Sequence, residues 1–165
     1  MSVPFPCKQC GKCCRMLEKK TWKGISLFPW ERHLFPEEDI KPSLGIGEGP
    51  EKPGFKIILY TYVKPGCIYL QETGCTIYDQ RPLICKSYPF RITKRENETV
   101  YVVAPDCTVI QEWPEKKTIE QRYIEMDAAE LIGDHLSRFY KASEPRWRYK
   151  SEKGWNRIGT NKTSD

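Results

Sequence analysis

Hydrophobic and polar positions change places in short blocks along most of this chain. Only one stretch keeps a helical period over several turns. Ile124, Ala128, Leu131, Ile132, Leu136 and Phe139 recur at helical spacing and mark one buried face. Thr118-Ile119-Glu120-Gln121 fits the S/T-x-x-E/Q capping pattern, which predicts an amphipathic helix over 118–142. His135 lies beside that face as a half-buried histidine. Elsewhere the blocks have strand character. Phe55 to Val63 is a run of aromatic and β-branched residues. Tyr88 to Lys94 and Thr99 to Ala104 flank a polar Arg95-Glu96-Asn97-Glu98 and predict a hairpin. Ile25 to Phe28 predicts a short strand. Pro29 then opens a helical turn in which its missing N–H costs nothing, with Glu31 at the positive end of the dipole. Residues 14–23 are consistent with a short helix. Residues 41–54 are rich in Gly and Pro and predict a loop, and Gly66 and Gly74 mark turns. No internal repeat is present.

Composition places the chain among globular proteins. Its 165 residues fit one domain, and 39% apolar with 30% charged residues is not the signature of disorder. The net charge of +5 gathers in the last twenty residues, so it describes a local field rather than a nucleic-acid-binding protein as a whole. The start, Met1-Ser-Val-Pro-Phe-Pro-Cys7, has no apolar core of a secretory signal. The longest apolar runs, such as Ile57-Ile58-Leu59-Tyr60, are far below the ~20 residues that span a bilayer. These features predict a cytoplasmic protein without a membrane partner.

The cysteines change the picture most. Cys7, Cys10, Cys13 and Cys14 fall within eight residues, and Cys67, Cys75, Cys85 and Cys107 follow. In a reducing compartment thiols this dense point to metal rather than disulfides. A C-x2-C turn brings two sulfurs to one point, and both zinc and iron–sulfur clusters take four thiolates. Eight cysteines therefore fill two four-ligand sites, or one site with spares. The spacing does not match the ferredoxin run C-x2-C-x2-C-x3-C-P, since Leu17 stands where the fourth cysteine belongs. Two separated C-x2-C zinc-ribbon knuckles are absent as well. Neighbouring side chains diverge by about 100° on a helix and take opposite faces on a strand. Cys13 and Cys14 are accordingly expected not to share one ion. Either they serve two sites, or one is a ligand and the other packs as a small hydrophobe. Lys8, Lys12, Arg15, Arg81 and Lys86 flank the cysteines, and cations favour thiolates.

Cys7-x2-Cys10-Gly11-x-Cys13-Cys14-Arg15, followed by Gly74-Cys75-Thr76-Ile77-Tyr78-Asp79-Gln80-Arg81-Pro82-Leu83-Ile84-Cys85-Lys86-Ser87-Tyr88-Pro89-Phe90, resembles the YkgJ-type CxxCxxCC cysteine-cluster family over residues 7–107. That family is described as chelating zinc or iron, and some members are similar to flagellin lysine N-methylases. In the second block Gly74 permits a turn and Pro82 stiffens the link between Cys75 and Cys85. Arg81 is expected to pair with Asp79 or to donate to sulfur, and Tyr78, Tyr88 and Phe90 to wall the site from water.

The expected protein is α+β: a small, irregular, metal-stabilised domain over 1–142, with short strands or hairpins and the C-terminal amphipathic helix, and a basic aromatic tail over 143–165. All eight cysteines are candidate metal ligands. Neither motif contains His, and the long irregular spacing favours an iron–sulfur cluster of 4Fe–4S type, with zinc as the alternative. The expected role is electron transfer, cluster handling or support of a protein partner. The alternatives are a lysine N-methyltransferase using S-adenosylmethionine, on the resemblance alone, and a structural zinc module. No catalytic residue stands out, and Gly45-x-Gly47-x-Gly49 lies in a Pro-rich stretch unlike a nucleotide turn. In the tail, Trp147, Tyr149 and Trp155 among basic residues predict a solvated or weakly docked segment, or a surface for nucleic acid.

Overall fold

A computed structural model describes residues 1–15, 24–95, 98–114, 119 and 121–159. The elements are mixed helices and antiparallel strands, as an α+β chain requires. They divide into two compact units, Met1–Ile25 with Lys64–Asp134 and Ser26–Val63 with His135–Asp165.

The first unit holds all eight cysteines. A one-turn helix α1 (Lys12–Arg15) carries two of them. The long helix α4 (Ile124–Tyr140) contributes its first part to this unit. The hairpin β6 (Phe90–Arg95) and β7 (Glu98–Val103) pairs in continuous antiparallel register, as the sequence predicts. Its core gathers Phe5, Phe90, Cys107, Val109, Tyr123, Met126 and Ala129. Phe5 meets Phe90 and Tyr123 edge-on at 5.5 Å each, and Phe90 stacks on Tyr123 at 5.4 Å. The N-terminal strand segment is pinned beside α4. Val3 N–H donates to Arg122 O, Ile124 N–H to Val3 O, and Phe5 N–H to the buried Glu125 carboxylate at 2.9 Å. These bonds fix the chain two residues before Cys7.

The second unit is built on a five-stranded sheet in the order β1-β3-β2-β8-β9. Its strands are β1 (Ile25–Leu27), β2 (Ile40–Ile46), β3 (Lys56–Tyr62), β8 (Arg146–Lys150) and β9 (Gly154–Ile158). Pro29 opens a 3-10 helix, Pro29–Leu34, in which the buried Glu31 carboxylate accepts the Phe28 N–H at 2.9 Å. Phe35 packs on the fully buried Tyr62 at 4.4 Å. His135 is half-buried between Trp30 and Phe28, 4.8 and 5.1 Å away.

Four expectations change. Residues 40–46 form β2 instead of a loop. Proline is tolerated there because Pro42 stands at a register shift, and β8 pairs only with Leu44 to Ile46. The helix begins at Ile124, not 118. Ile119 and Gln121 are non-helical, while Thr118 and Glu120 of the capping pattern lie outside the described residues, as does most of the 14–23 helix. The buried face of α4 is shifted: Ala128 and Phe139 are buried as the spacing predicts, but Ile124 and Leu131 are half exposed and Met126 and Ala129 are buried. Small residues decide this. A Cβ on Gly133 would lie 2.1 Å from Ile92 Cδ1, so β6 approaches the helix at its glycine rather than at its bulkiest side chains. Finally, residues 146–158 are two sheet strands instead of a solvated tail.

Gly47 ends β2 with φ +132° and lies against the Phe55 backbone, 2.9 Å from where a Cβ would stand. Gly47→Ala is expected to destabilise the second unit by about 1–3 kcal/mol, the usual cost of a forced backbone conformation. Chemical unfolding followed by tryptophan fluorescence reads this, since three of the tryptophans, Trp30, Trp147 and Trp155, lie in this unit.

Candidate metal centre

Glycine and a short helix shape the first cysteine run. Gln9 at φ 48° and Gly11 at φ 70° reverse the chain between Cys7 and α1. Leu70 covers Gly11 so closely that a Cβ would come within 2.7 Å of it. Gly11 O then accepts the Cys14 and Arg15 N–H groups, both at 3.0 Å, and closes the α1 turn. The run is tied along the short helix α3 (Thr108–Gln111), which follows Cys107. Lys8 pairs with Glu112, Lys12 donates to Gln111 at 3.3 Å, and Cys10 Sγ lies 3.5 Å from Thr108 Oγ1. Lys8 and Lys12 are therefore tethers, and Arg15 caps the Cys10 carbonyl at 2.8 Å.

The second block meets the first through backbone. Cys67 N–H donates to Cys14 O at 3.1 Å. The two-residue strands β4 (Leu70–Gln71) and β5 (Gly74–Cys75) pair and present Cys75. Gly74, at φ 114°, leaves room for the Gln9 side chain, whose Oε1 would be 2.5 Å from a Cβ there. Pro82 leads into helix α2 (Leu83–Ser87), which carries Cys85. Cys107 is buried in the core at the start of α3.

Cys14 is the centre of the sulfur arrangement. Its Sγ lies 3.9 Å from Cys13 Sγ, and its thiol also bonds the Cys67 sulfur. With both neighbours accepting its proton, the Cys14 thiol is pushed far up, whereas Cys13 and Cys67 are each lowered to about 7 by the bond from Cys14. The expected divergence of Cys13 and Cys14 does not hold at the sulfurs. The 100° rule orients Cβ, and rotation about χ1 still brings the two Sγ atoms together. Around this trio, burial raises the Cys85 thiol, followed by the charges of Cys13 and Cys67 and, more weakly, Cys75. Partial burial raises Cys7, which also feels Cys13 and Cys107. Cys10 is lowered, first by its bond with Thr108, and is opposed by Cys13. Charge effects thus link Cys7, Cys10, Cys13, Cys67, Cys75, Cys85 and Cys107. Among the described residues, no three of Cys, His, Asp and Glu already converge as a closed ligand set.

Arg81 is the cation that acts on these thiols, opposing the burial that raises Cys7 and Cys85 and adding to the bond from Cys14 that lowers Cys13. It is held by bonds to Tyr78 O at 2.7 Å and Cys85 O at 3.5 Å, and it stacks 3.6 Å over the Tyr78 ring. Among the described residues it makes no ion pair with Asp79, which is exposed. Tyr88 bonds Asp106 at 3.5 Å, while Phe90 belongs to the core rather than to a wall of the site. Asp106, Thr108, Gln111 and Glu112 also contact the site's residues and form no motif in the sequence. Their one signal was proximity to Cys107.

In metal-free protein the lowered Cys13 and Cys67 thiols contribute stability that is fully present above the ordinary thiol value of 9.0. That stability is lost as pH falls through about 7. Iodoacetamide is expected to modify Cys13 and Cys67 before Cys85 at neutral pH, with their rates dropping as pH falls below about 7. Peptide mass mapping over a pH series measures the order.

A family model, CxxCxxCC, described as "Putative zinc- or iron-chelating domain", matches residues 6–108. No curated protein and no solved structure matches the chain.

Proposed function

The chain belongs to the CxxCxxCC family of zinc or iron chelators, and we propose on that premise that the first unit captures one zinc or iron ion in thiolates and passes it to a protein partner. The observation that carries this reading is the Cys14 thiol bonded to the sulfurs of both Cys13, at 3.9 Å, and Cys67. A tetrahedron with bonds of about 2.3 Å has edges of about 3.8 Å, close to the 3.9 Å between Cys13 and Cys14. That spacing suits a shared ion better than a 4Fe–4S cube, in which four thiolates serve four irons. Cys85 is the natural fourth ligand, since it feels both Cys13 and Cys67. Capture draws the four side chains together, and the ion supplies the cross-link that holds α1, the Cys67 loop and α2 together. Arg81 offsets part of the thiolate charge. Cys14 gives up its proton on capture, so uptake releases protons and weakens as pH falls through about 7.

Cys7 and Cys10 are exposed, and Cys7, Cys10 and Cys13 are electrostatic neighbours. They serve as the entry and exit point at which a partner's ligands exchange with the inner set. Cys75 and Cys107 flank the set.

Metal and acid-labile sulfide analysis of anaerobically purified protein tests the reading. About one zinc or iron per chain and no sulfide is expected, and stoichiometric sulfide would overturn the shared-ion centre. The double variant Cys7→Ser/Cys10→Ser is expected to slow metal transfer to a chelator about tenfold, while equilibrium affinity falls less than in Cys14→Ser. Unchanged transfer kinetics would remove the entry role.

A further inference from the structure

The second unit carries a surface that chelation does not use. Strands β8 and β9 pair Trp147 with Arg157, Tyr149 with Trp155, and Lys150 with Gly154. Side chains opposite one another share a face of the sheet, so Trp147, Tyr149, Trp155 and Arg157 line one side. Phe55 joins them, 4.9 Å from Trp155 and 6.5 Å from Trp147, and Tyr149 is 5.5 Å from Trp155. Phe55 reaches this position because Gly45 has no side chain: a Cβ there would stand 2.4 Å from the ring. The four rings are half-buried, so aromatic surface remains open to solvent. β2 pairs with β8 only as far as Arg148. The hairpin end from Tyr149 to Trp155 is therefore not paired with β2.

The charge on this hairpin end is positive on balance, with Glu152 the acidic residue of the tip. Lys150 and Lys153 at the tip and Arg157 on the aromatic face are exposed. None of them makes an ion pair among the described residues. Free cations beside clustered rings fit a polymer that alternates phosphates with flat, unpaired bases. We propose that this hairpin face binds single-stranded nucleic acid. The bases lie against Trp147, Tyr149 and Trp155, and the phosphates meet Lys153 at the tip and Arg157 on the same face. A duplex hides its base faces, and an acidic polysaccharide has none, so neither uses the rings.

Arg148 provides the control. It is exposed on the same strand, but alternation places it on the opposite face from Trp147 and Tyr149. The test titrates full-length, metal-loaded protein into a fluorescein-labelled mixed-sequence RNA of roughly 12 nucleotides, within the ~4–16 nucleotide range of such sites, and follows anisotropy. With about two phosphate contacts, affinity should fall about sevenfold between roughly 50 and 200 mM salt. Lys153→Glu/Arg157→Glu should weaken binding about tenfold or more and flatten the salt dependence, and Arg148→Glu should change it by less than about twofold. The same strand as duplex, and heparin, should compete poorly. Absence of binding at low salt, equal losses from Arg148→Glu and Arg157→Glu, or heparin competing as well as the unlabelled strand would each overturn the proposal. The substituted side chains are exposed, so circular dichroism should show all variants folded.

Discussion

Cys14→Ser is expected to lower zinc or iron affinity by about a hundredfold to a thousandfold. Four-ligand structural zinc sites bind with about 10–16 kcal/mol, so one ligand accounts for roughly 3–4 kcal/mol. The full share falls on Cys14 because its sulfur is the one that touches two others, Cys13 at 3.9 Å and Cys67 through its thiol proton. Serine preserves the size of the side chain but is a poor ligand for a soft thiolate site. Cys75→Ser is the matched comparison. Cys75 acts on Cys85 more weakly than Cys13 and Cys67 do, and its loss is expected to cost much less. Chelator competition at fixed pH measures both variants. Equal affinities for Cys14→Ser and Cys75→Ser would remove Cys14 from the centre.

Phe5→Ala is expected to destabilise the first unit by about 3–5 kcal/mol, the usual cost of deleting a buried aromatic ring. Phe5 is 4% exposed and touches Phe90, Trp113 and Tyr123. Its loss should reach the thiols as well, because the ring anchors the chain in the core two residues before Cys7. Metal exchange should then become faster along with the loss of stability. Hydrogen exchange separates the two units: β6 and β7 amides should open more readily in the variant, and β2, β3 and β8 amides should keep their protection. A global loss of protection that includes the five-stranded sheet would refute this division of stability.

Local patterns with a single physical cause could be read directly. The β6–β7 hairpin follows from two β-branched and aromatic runs around a polar turn, and Pro29 opens a helical turn because its ring and missing N–H suit that position. The reading failed where a neighbour outweighed local propensity. Pro42, Gly45 and Gly47 signal a loop, yet a bulge accommodates the proline, the Phe55 ring fills the space over Gly45, and residues 40–46 become a central strand. The face of α4 turned because Ile92 packs on Gly133, which hydrophobic spacing along one helix cannot register. Trp147 and Tyr149 among cations looked like a tail because their strand partner, β2, is itself a stretch that reads as a loop.

The cysteine set, its thiolate chemistry and its membership of a chelating family were fixed by residue types and spacing, since these are properties of composition along the chain. How the thiols associate was decided by tertiary structure. Neighbours in sequence give only the direction of Cβ, whereas contacts across more than fifty residues bring the Cys67 sulfur to Cys14 and place Arg81 among thiolates instead of beside Asp79. The same long-range pairing turned a basic, aromatic sequence into a hairpin with one aromatic face. Chemistry is carried by residue identity, but the grouping of that chemistry depends on which distant segments share their backbone hydrogen bonds.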